Sequence, residues 1–292
     1  MEINQLAYLV AIAEEASFSR AAERLGVAQP SISQQVKKLE DELGTPLLDR
    51  LPRRVVPTAA GERLLEHARR ILAELSDARR RLTDSAETVS GSLTIGAIPT
   101  IAPYLLPDLL KRFSSQYPDV QVDVVEDVTA RLATMIEHGE LDLAILSTLE
   151  GGPTVHVETI GHESLQLLLP KNHRLCKRRN VPWSELVDER FLVLQEMHCL
   201  SGQVSHMCQR RKVRPNVVMR GAQLSTIAEM VSAGLGVSVV PAMMVSRDKS
   251  ASRISLPFAG EEPTRELCVA WSLLRYRTQA ARAMEQTIRQ RL

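Results

Sequence analysis

The sequence predicts an α/β protein in three successive parts: a region of short helices, one long helix, and a larger region in which strands and helices alternate. Three observations predict it. Apolar residues recur at helical spacing through the first 57 positions. From Thr58 to Glu87 there is no proline, one glycine and a sustained four-three apolar alternation. Beyond "TVSGSLTIGAIPT" the composition changes abruptly to β-branched runs separated by helical patterns. At 292 residues, 44% of them hydrophobic, the chain can build two or three cores.

In the first region, Ile3, Leu6, Leu9, Val10 and Ala13 form one apolar stripe, and "SFSRAAERLG" starts a second helix at a serine and stops it at Gly26. In "VAQPSISQQVKKLEDELG", Pro30 suits a first helical turn and Gly44 the residue past the end. Ile32, Val36, Leu39 and Leu43 make the buried stripe of this third helix. Its opposite face carries Pro30, Gln34, Lys37 and Asp41, flanked by Ser31, Ser33 and Lys38 and preceded by Gln29. Two helices joined by a tight Gly26-Val27 turn, the second presenting Ser, Gln and Lys, meet the needs of a helix-turn-helix entering a major groove. Gln addresses adenine, Ser and Lys reach base edges or phosphates, and the helix N-terminus favours phosphate oxygens. "LLDRLPRRVVPT" then concentrates Arg50, Arg53 and Arg54 in an expected two-stranded wing, suited to the DNA backbone or minor groove. Residues 1–57 are therefore expected to be a winged helix-turn-helix DNA-binding domain. The plainer alternative is a three-helix bundle with a solvated polar face. The segregation of basic groups at the turn, the start of the third helix and the wing favours DNA.

Leu64, Ala68, Ile71, Leu75, Ala78 and Leu82 follow at spacings of four, three, four, three and four, with Arg and Glu outside the seam. A helix of about thirty residues spans roughly 45 Å and cannot bury such a seam alone. Residues 58–90 are expected to be a dimerisation helix and hinge, the alternative being a surface helix lying on the next domain.

The third region alternates: strand "LTIGAI", helix "PYLLPDLLKRFSSQY", strand "VQVDVVED", helix "ARLATMIEHG", strand "LDLAIL". Later come "ESLQLLLP", "RFLVLQE", "PNVVMRG", helix "LSTIAEMVSAG", strands "GVSVVP" and "RELCVAWS", and a closing helix from about Thr278. The reading is an α/β domain with mostly parallel strands. Such sheets place ligands past the C-terminal ends of strands, which singles out Thr100 after the first strand and Thr129 after the second. Simple N-capping is the alternative for both threonines.

The formal charge of +1 announces no nucleic-acid partner, so that case rests on local arrangement. No run of eighteen uncharged apolar residues occurs and Glu2 sits where a secretory signal would be positive, so a cytoplasmic chain with no membrane partner is expected. Four cysteines in such a chain do not make a structural disulfide framework. Cys268, in "LCVAW", reads as packing, and Cys176, in "NHRLCKRRN", as a thiol in an exposed basic loop. "EMHCLSGQVSHMC" puts Cys199 and Cys208 nine positions apart, with His198 and His206 nearby. A pair of core thiols, a zinc site and a thiol switch are all compatible with it. Basic flanks, Arg210, Arg211, Lys212 and Arg214, argue against burial, and the absence of a close C-x-x-C pair argues against zinc. No metal and no cofactor are expected. On one continuous helix the two Cα atoms would stand roughly 13 Å apart, whereas a disulfide tolerates at most about 7 Å. A bond between them would therefore remodel the segment.

"FSRAAERLGVAQPSISQQVKKLEDELGTPLLDR", the long helix, the "DLAIL" strand and "VSAGLGVSVVP" together resemble the LysR-type transcriptional regulators over the whole chain. The resemblance implies a non-enzymatic regulator acting as homodimer or homotetramer on promoter DNA, with RNA polymerase as a further partner. It also implies an effector domain, 91–292, of two periplasmic-binding-protein-like subdomains, the first about 92–163 and 264–292, the second about 164–263. "IPTIAPYLLP" and "HCLSGQVSHMC" resemble the peroxide-sensing branch of that family. That likeness implies hydrogen peroxide as effector, Cys199 as the reactive thiol, Cys208 as the resolving thiol, and Thr100, Thr129 and His198 as the peroxide pocket. The chemistry asks for a lowered pKa at Cys199. One alternative keeps the fold but senses a metabolite through Thr100, Thr129 and Ser225. Another is a thiol peroxidase, which leaves the helix-turn-helix and the seam unexplained.

Overall fold

The computed structural model describes residues 1–52, 54–84, 88–149 and 151–291. Arg53 of the expected wing, Glu87 at the expected end of the long helix and Leu292 lie outside the described residues. Two units form, one from Met1–Thr83 with His138–Glu140 and one from Asp84–Glu137 with Leu141–Leu292.

In the first unit α1 (Ile3–Glu15), α2 (Phe18–Leu25) and α3 (Gln29–Leu43) precede a hairpin of β1 (Leu48–Leu51) and β2 (Arg54–Pro57), and α4 (Ala59–Thr83) closes it. Ser17 caps α2 by accepting from the Arg20 N–H, and Gly26, at φ 65°, ends it in the left-handed conformation that glycine adopts without steric cost. Gly44 ends α3 in the same way, at φ 66°. The core is Leu9, Ile12, Ala21, Ile32, Val36, Leu39, Leu47 and Leu65. The apolar stripes are shorter than their sequence patterns. Ile3 and Leu43 are exposed because the first turn of α1 and the last of α3 run past the core. Gln5 and Ile12 complete the buried face of α1 instead.

In the second unit the elements are β3 (Gly91–Ala97), α5 (Ala102–Gln116), β4 (Val120–Glu126), α6 (Thr129–His138), β5 (Leu143–Leu146) and β6 (Val155–Pro170). There follow β7 (Arg190–Leu194), α7 (Cys199–Arg210), β8 (Asn216–Gly221), α8 (Leu224–Ser232), β9 (Ser238–Pro241), α9 (Ala242–Arg247), β10 (Arg253–Leu256), β11 (Thr264–Ser272) and α10 (Gln279–Arg289). The expectation of mostly parallel strands is corrected. β3 pairs β4 and β5 in parallel, as β7 does β8, but β11 runs antiparallel to β5 and β6, and β9 and β10 run antiparallel to β6. The cause is the sixteen-residue β6, which pairs β11 along Val155–Ser164 and then β9 and β10 along Leu165–Pro170. One strand thus serves two cores. Leu93, Ile95, Ile101, Phe113, Ile145 and Met284 belong to the first, and Leu167, Phe191, Leu192, Val231 and Val240 to the second.

Candidate functional site

The turn between β3 and α5 brings Thr100 into the interior, where its residue is 1% exposed. Thr100 caps no helix: its hydroxyl accepts a hydrogen bond from Arg265 Nη1 at 2.8 Å, and its carbonyl accepts one from Nη2 at 3.0 Å. Arg265 enters from β11 with its side chain wholly buried. It also donates Nε to Glu163 Oε2 at 2.8 Å, while Glu163 Oε1 accepts the Met243 N–H at 2.6 Å. A buried guanidinium is thereby satisfied by a carboxylate, a hydroxyl and a carbonyl, as a charge removed from water requires.

Cys199, the first residue of α7, lies half-buried beside this cluster and packs against the first core. Burial pushes its thiol pKa up, more than the Arg265 charge, the Thr129 hydroxyl and the Leu200 N–H at the helix start pull it down. The expectation of a lowered pKa is corrected on this ground: the thiolate-stabilising groups are present, and desolvation outweighs them. Thr129 Oγ1, at the start of α6, is buried with no partner of hydrogen-bond geometry, yet it is close enough to act on the Cys199 thiol. We read it as a donor poised toward sulfur. Gln203 Oε1, one turn along α7, is likewise buried and unpartnered. His198 is buried at the N-cap position of α7 without a side-chain cap bond.

Cys208 ends in the second core, 1% exposed, and burial drives its pKa up to about 11. The basic flanks that argued against burial are exposed around it, because a helix turns its charged neighbours outward while the cysteine joins Leu200 and Val204 on the inner face. Cys176 is also more enclosed than a loop reading implies: it sits half-buried in a short 3₁₀ turn, Arg174–Lys177, and its thiol donates to the Pro170 carbonyl at 3.3 Å. Cys268 is buried in β11. His198, Cys199, His206 and Cys208 do not converge into a group able to hold a metal among the described residues. Ser225 lies exposed on α8.

Sequence reading missed Arg265, Glu163 and Gln203. The signal for the first was a cation two positions before Leu267 on the buried face of a strand, and for Glu163 a carboxylate two positions before Leu165.

In the first unit Gln29, Pro30, Ser31, Gln34 and Lys37 are exposed along α3, with Ser33 half-buried. Arg50 and Arg54 are exposed on the hairpin, and Arg50 lies over the Phe18 ring at 4.7 Å. Arg20, Arg24 and Lys38 are paired with Glu15, Glu14 and Glu2, whereas Lys37 and Arg54 have no ion-pair partner among the described residues. On α4, Ala68 is buried, Leu64 and Leu75 are half-buried, and Ile71, Ala78 and Leu82 are exposed. No helix of the described residues is long and apolar enough to cross a membrane.

The family model for the bacterial regulatory helix-turn-helix protein, lysR family, matches residues 3–62, and that for the LysR substrate binding domain matches residues 86–292. The chain is 35% identical over 272 residues to a hydrogen peroxide-inducible genes activator of Pectobacterium carotovorum, covering 93% of this chain and 90% of the relative. It is 35% identical over 268 residues to the DNA-binding transcriptional dual regulator OxyR of Escherichia coli, covering 91% and 88%. Among solved structures it resembles full-length OxyR C199D from Pseudomonas aeruginosa, with TM-score 0.81 and 32% identity over 99% of this chain and 95% of that one. With both models matched in order and these relatives spanning nearly its full length, the chain belongs to the LysR family of bacterial regulatory helix-turn-helix proteins.

Proposed function

We propose that this protein is a cytoplasmic, DNA-binding transcription regulator that senses hydrogen peroxide by oxidising Cys199 and then forming a reversible Cys199–Cys208 disulfide. The observation that carries the reading is the surroundings of Cys199. A thiol half out of water meets the charge of a fixed guanidinium, Arg265, and a buried hydroxyl, Thr129 Oγ1, that has no other hydrogen-bond partner. Such a site suits a very small ligand that both donates and accepts hydrogen bonds, as peroxide does. Arg265, Thr129 and the N-terminus of α7 favour the transient thiolate, and donors here stabilise the departing hydroxide. Thr100 positions Arg265, and His198 closes the pocket. The relatives named for peroxide-inducible genes support the same reading.

In this reading residues 1–57 bind promoter DNA through Gln29, Pro30, Ser31, Ser33, Gln34, Lys37, Arg50, Arg53 and Arg54. Residues 58–90 hold two copies together through the α4 seam. Residues 91–292 sense, with RNA polymerase engaged by the DNA-bound homodimer or homotetramer.

The test is non-reducing peptide mass mapping after brief exposure to low peroxide. A rapid, thiol-reversible Cys199–Cys208 cross-link, absent in Cys199→Ser, is expected. Both thiols remaining reduced while Cys176 slowly oxidises would sink the proposal and turn attention to a metabolite sensed through Thr100, Thr129 and Ser225.

A further inference from the structure

Helix α7 lies along the second core with Leu200, Val204 and Cys208, while Cys199 at its start packs against the first. Between the two cysteines Gln203 reaches to the turn after β5. Its Nε2 donates to Ser147 Oγ and to Thr148 Oγ1, each at 2.8 Å. Ser147 is fully buried. Thr148 stands at φ 54°, a left-handed backbone that a β-branched residue adopts only when its surroundings hold it there. The turn is thus built to present two adjacent hydroxyls to one glutamine on the helix that carries both candidate redox thiols.

We propose that Gln203, Ser147 and Thr148 form a latch that keeps α7 helical in the reduced protein and sets how fast an oxidised Cys199 is resolved by Cys208. The inference rests on the peroxide-sensing reading. In the first step the Cys199 thiolate attacks peroxide: an S–O bond forms, the O–O bond breaks, sulfur is oxidised, peroxide is reduced, and the departing hydroxide takes a proton to leave as water. In the second, the Cys208 thiol loses its proton and attacks the sulfenic sulfur: the S–S bond forms, the S–O bond breaks, and hydroxide leaves with that proton as water. Nine helical steps separate the two Cα atoms by roughly 13 Å, against about 7 Å for a disulfide. Residues between the thiols must therefore leave the helix before the second step, and Gln203 leaves with them. The first step needs no such movement. The latch consequently acts on resolution and not on sensing.

The experiment compares reduced full-length wild type with Ser147→Ala/Thr148→Val and with Thr148→Ser, which keeps the hydroxyl. Sulfenic acid formation is followed by dimedone trapping, and disulfide closure by quenched non-reducing peptide mapping. Sulfenic acid formation within about twofold of wild type is expected in both variants, with closure faster by roughly tenfold or more in the double variant, as losing two net hydrogen bonds implies. Thr148→Ser should stay near wild type. Should the double variant fail to fold, Ser147→Ala alone, removing one oxygen, is expected to speed closure by roughly fivefold. Unchanged or slower closure in a folded variant overturns the latch. Absence of both sulfenic acid and disulfide in wild type overturns the peroxide reading itself, and so separates the two failures.

Discussion

Arg265 carries its charge at full burial, so every group that stabilises it matters to the fold as well as to the thiol. Removing one partner of a buried ion pair leaves the other charge stranded, at a cost of about 3–5 kcal/mol. Arg265→Met is expected to lose stability of that order in urea denaturation and to slow Cys199 oxidation. Combining it with Glu163→Gln removes the stranded charge and should recover part of the loss, since the two residues act as one unit. A double variant as unstable as the sum of the singles would contradict the pairing. Thr100 belongs to the same network: its hydroxyl and carbonyl hold two of the guanidinium nitrogens.

Among the elements, α4 shows most directly what one chain leaves undone. Ile71 is 40% exposed and Leu82 89% exposed, although both lie on the apolar seam. The N-terminal end of the same helix is satisfied within its own unit, where Leu65 and Ala68 are buried. A helix apolar along one line and exposed there gains by pairing with a second copy. Replacing Ile71 and Leu75 together by lysine should lower the mass seen in sedimentation equilibrium toward that of one chain, without lowering the helical content of the first unit. An unchanged mass would assign the association to another surface. Helix α7 makes the complementary point, since one face is buried in the second core while Cys199 packs against the first and Gln203 bonds to the turn after β5.

Taken whole, the chain joins a DNA-reading unit to a sensing unit, and the proposed switch has value only if oxidation changes DNA occupancy. The proposed disulfide would convert a small chemical event into local loss of helix, the kind of change that packed elements turn into a discrete rearrangement. DNase protection of promoter DNA by oxidised and reduced wild type is expected to differ in length or spacing. Cys208→Ser, oxidised under the same conditions, should keep the reduced pattern. Identical footprints for oxidised and reduced wild type would leave the disulfide without a regulatory role.

How much of this was legible in the sequence follows the range of the forces involved. The helices of the first unit, α4 among them, the Gly26 and Gly44 stops and most strands beyond Gly91 were readable, because helix caps and apolar periods are written in neighbouring residues. The two cysteines stood out in the same way, by spacing. Strand direction did not, since β6 meets β11 across roughly a hundred positions and only the assembled sheet decides that they run antiparallel. Nor did the depth of Cys208, which the side of α7 facing the second core determines, or the raised pKa of Cys199, which follows from burial. The sequence by itself determined the family and the order of its parts, and it singled out the two candidate thiols. Tertiary structure alone decided that Arg265, Glu163 and Thr100 meet beside one of them and that Gln203 fastens the helix between them. Burial and ion pairing depend on residues brought together from distant strands, which no local pattern records.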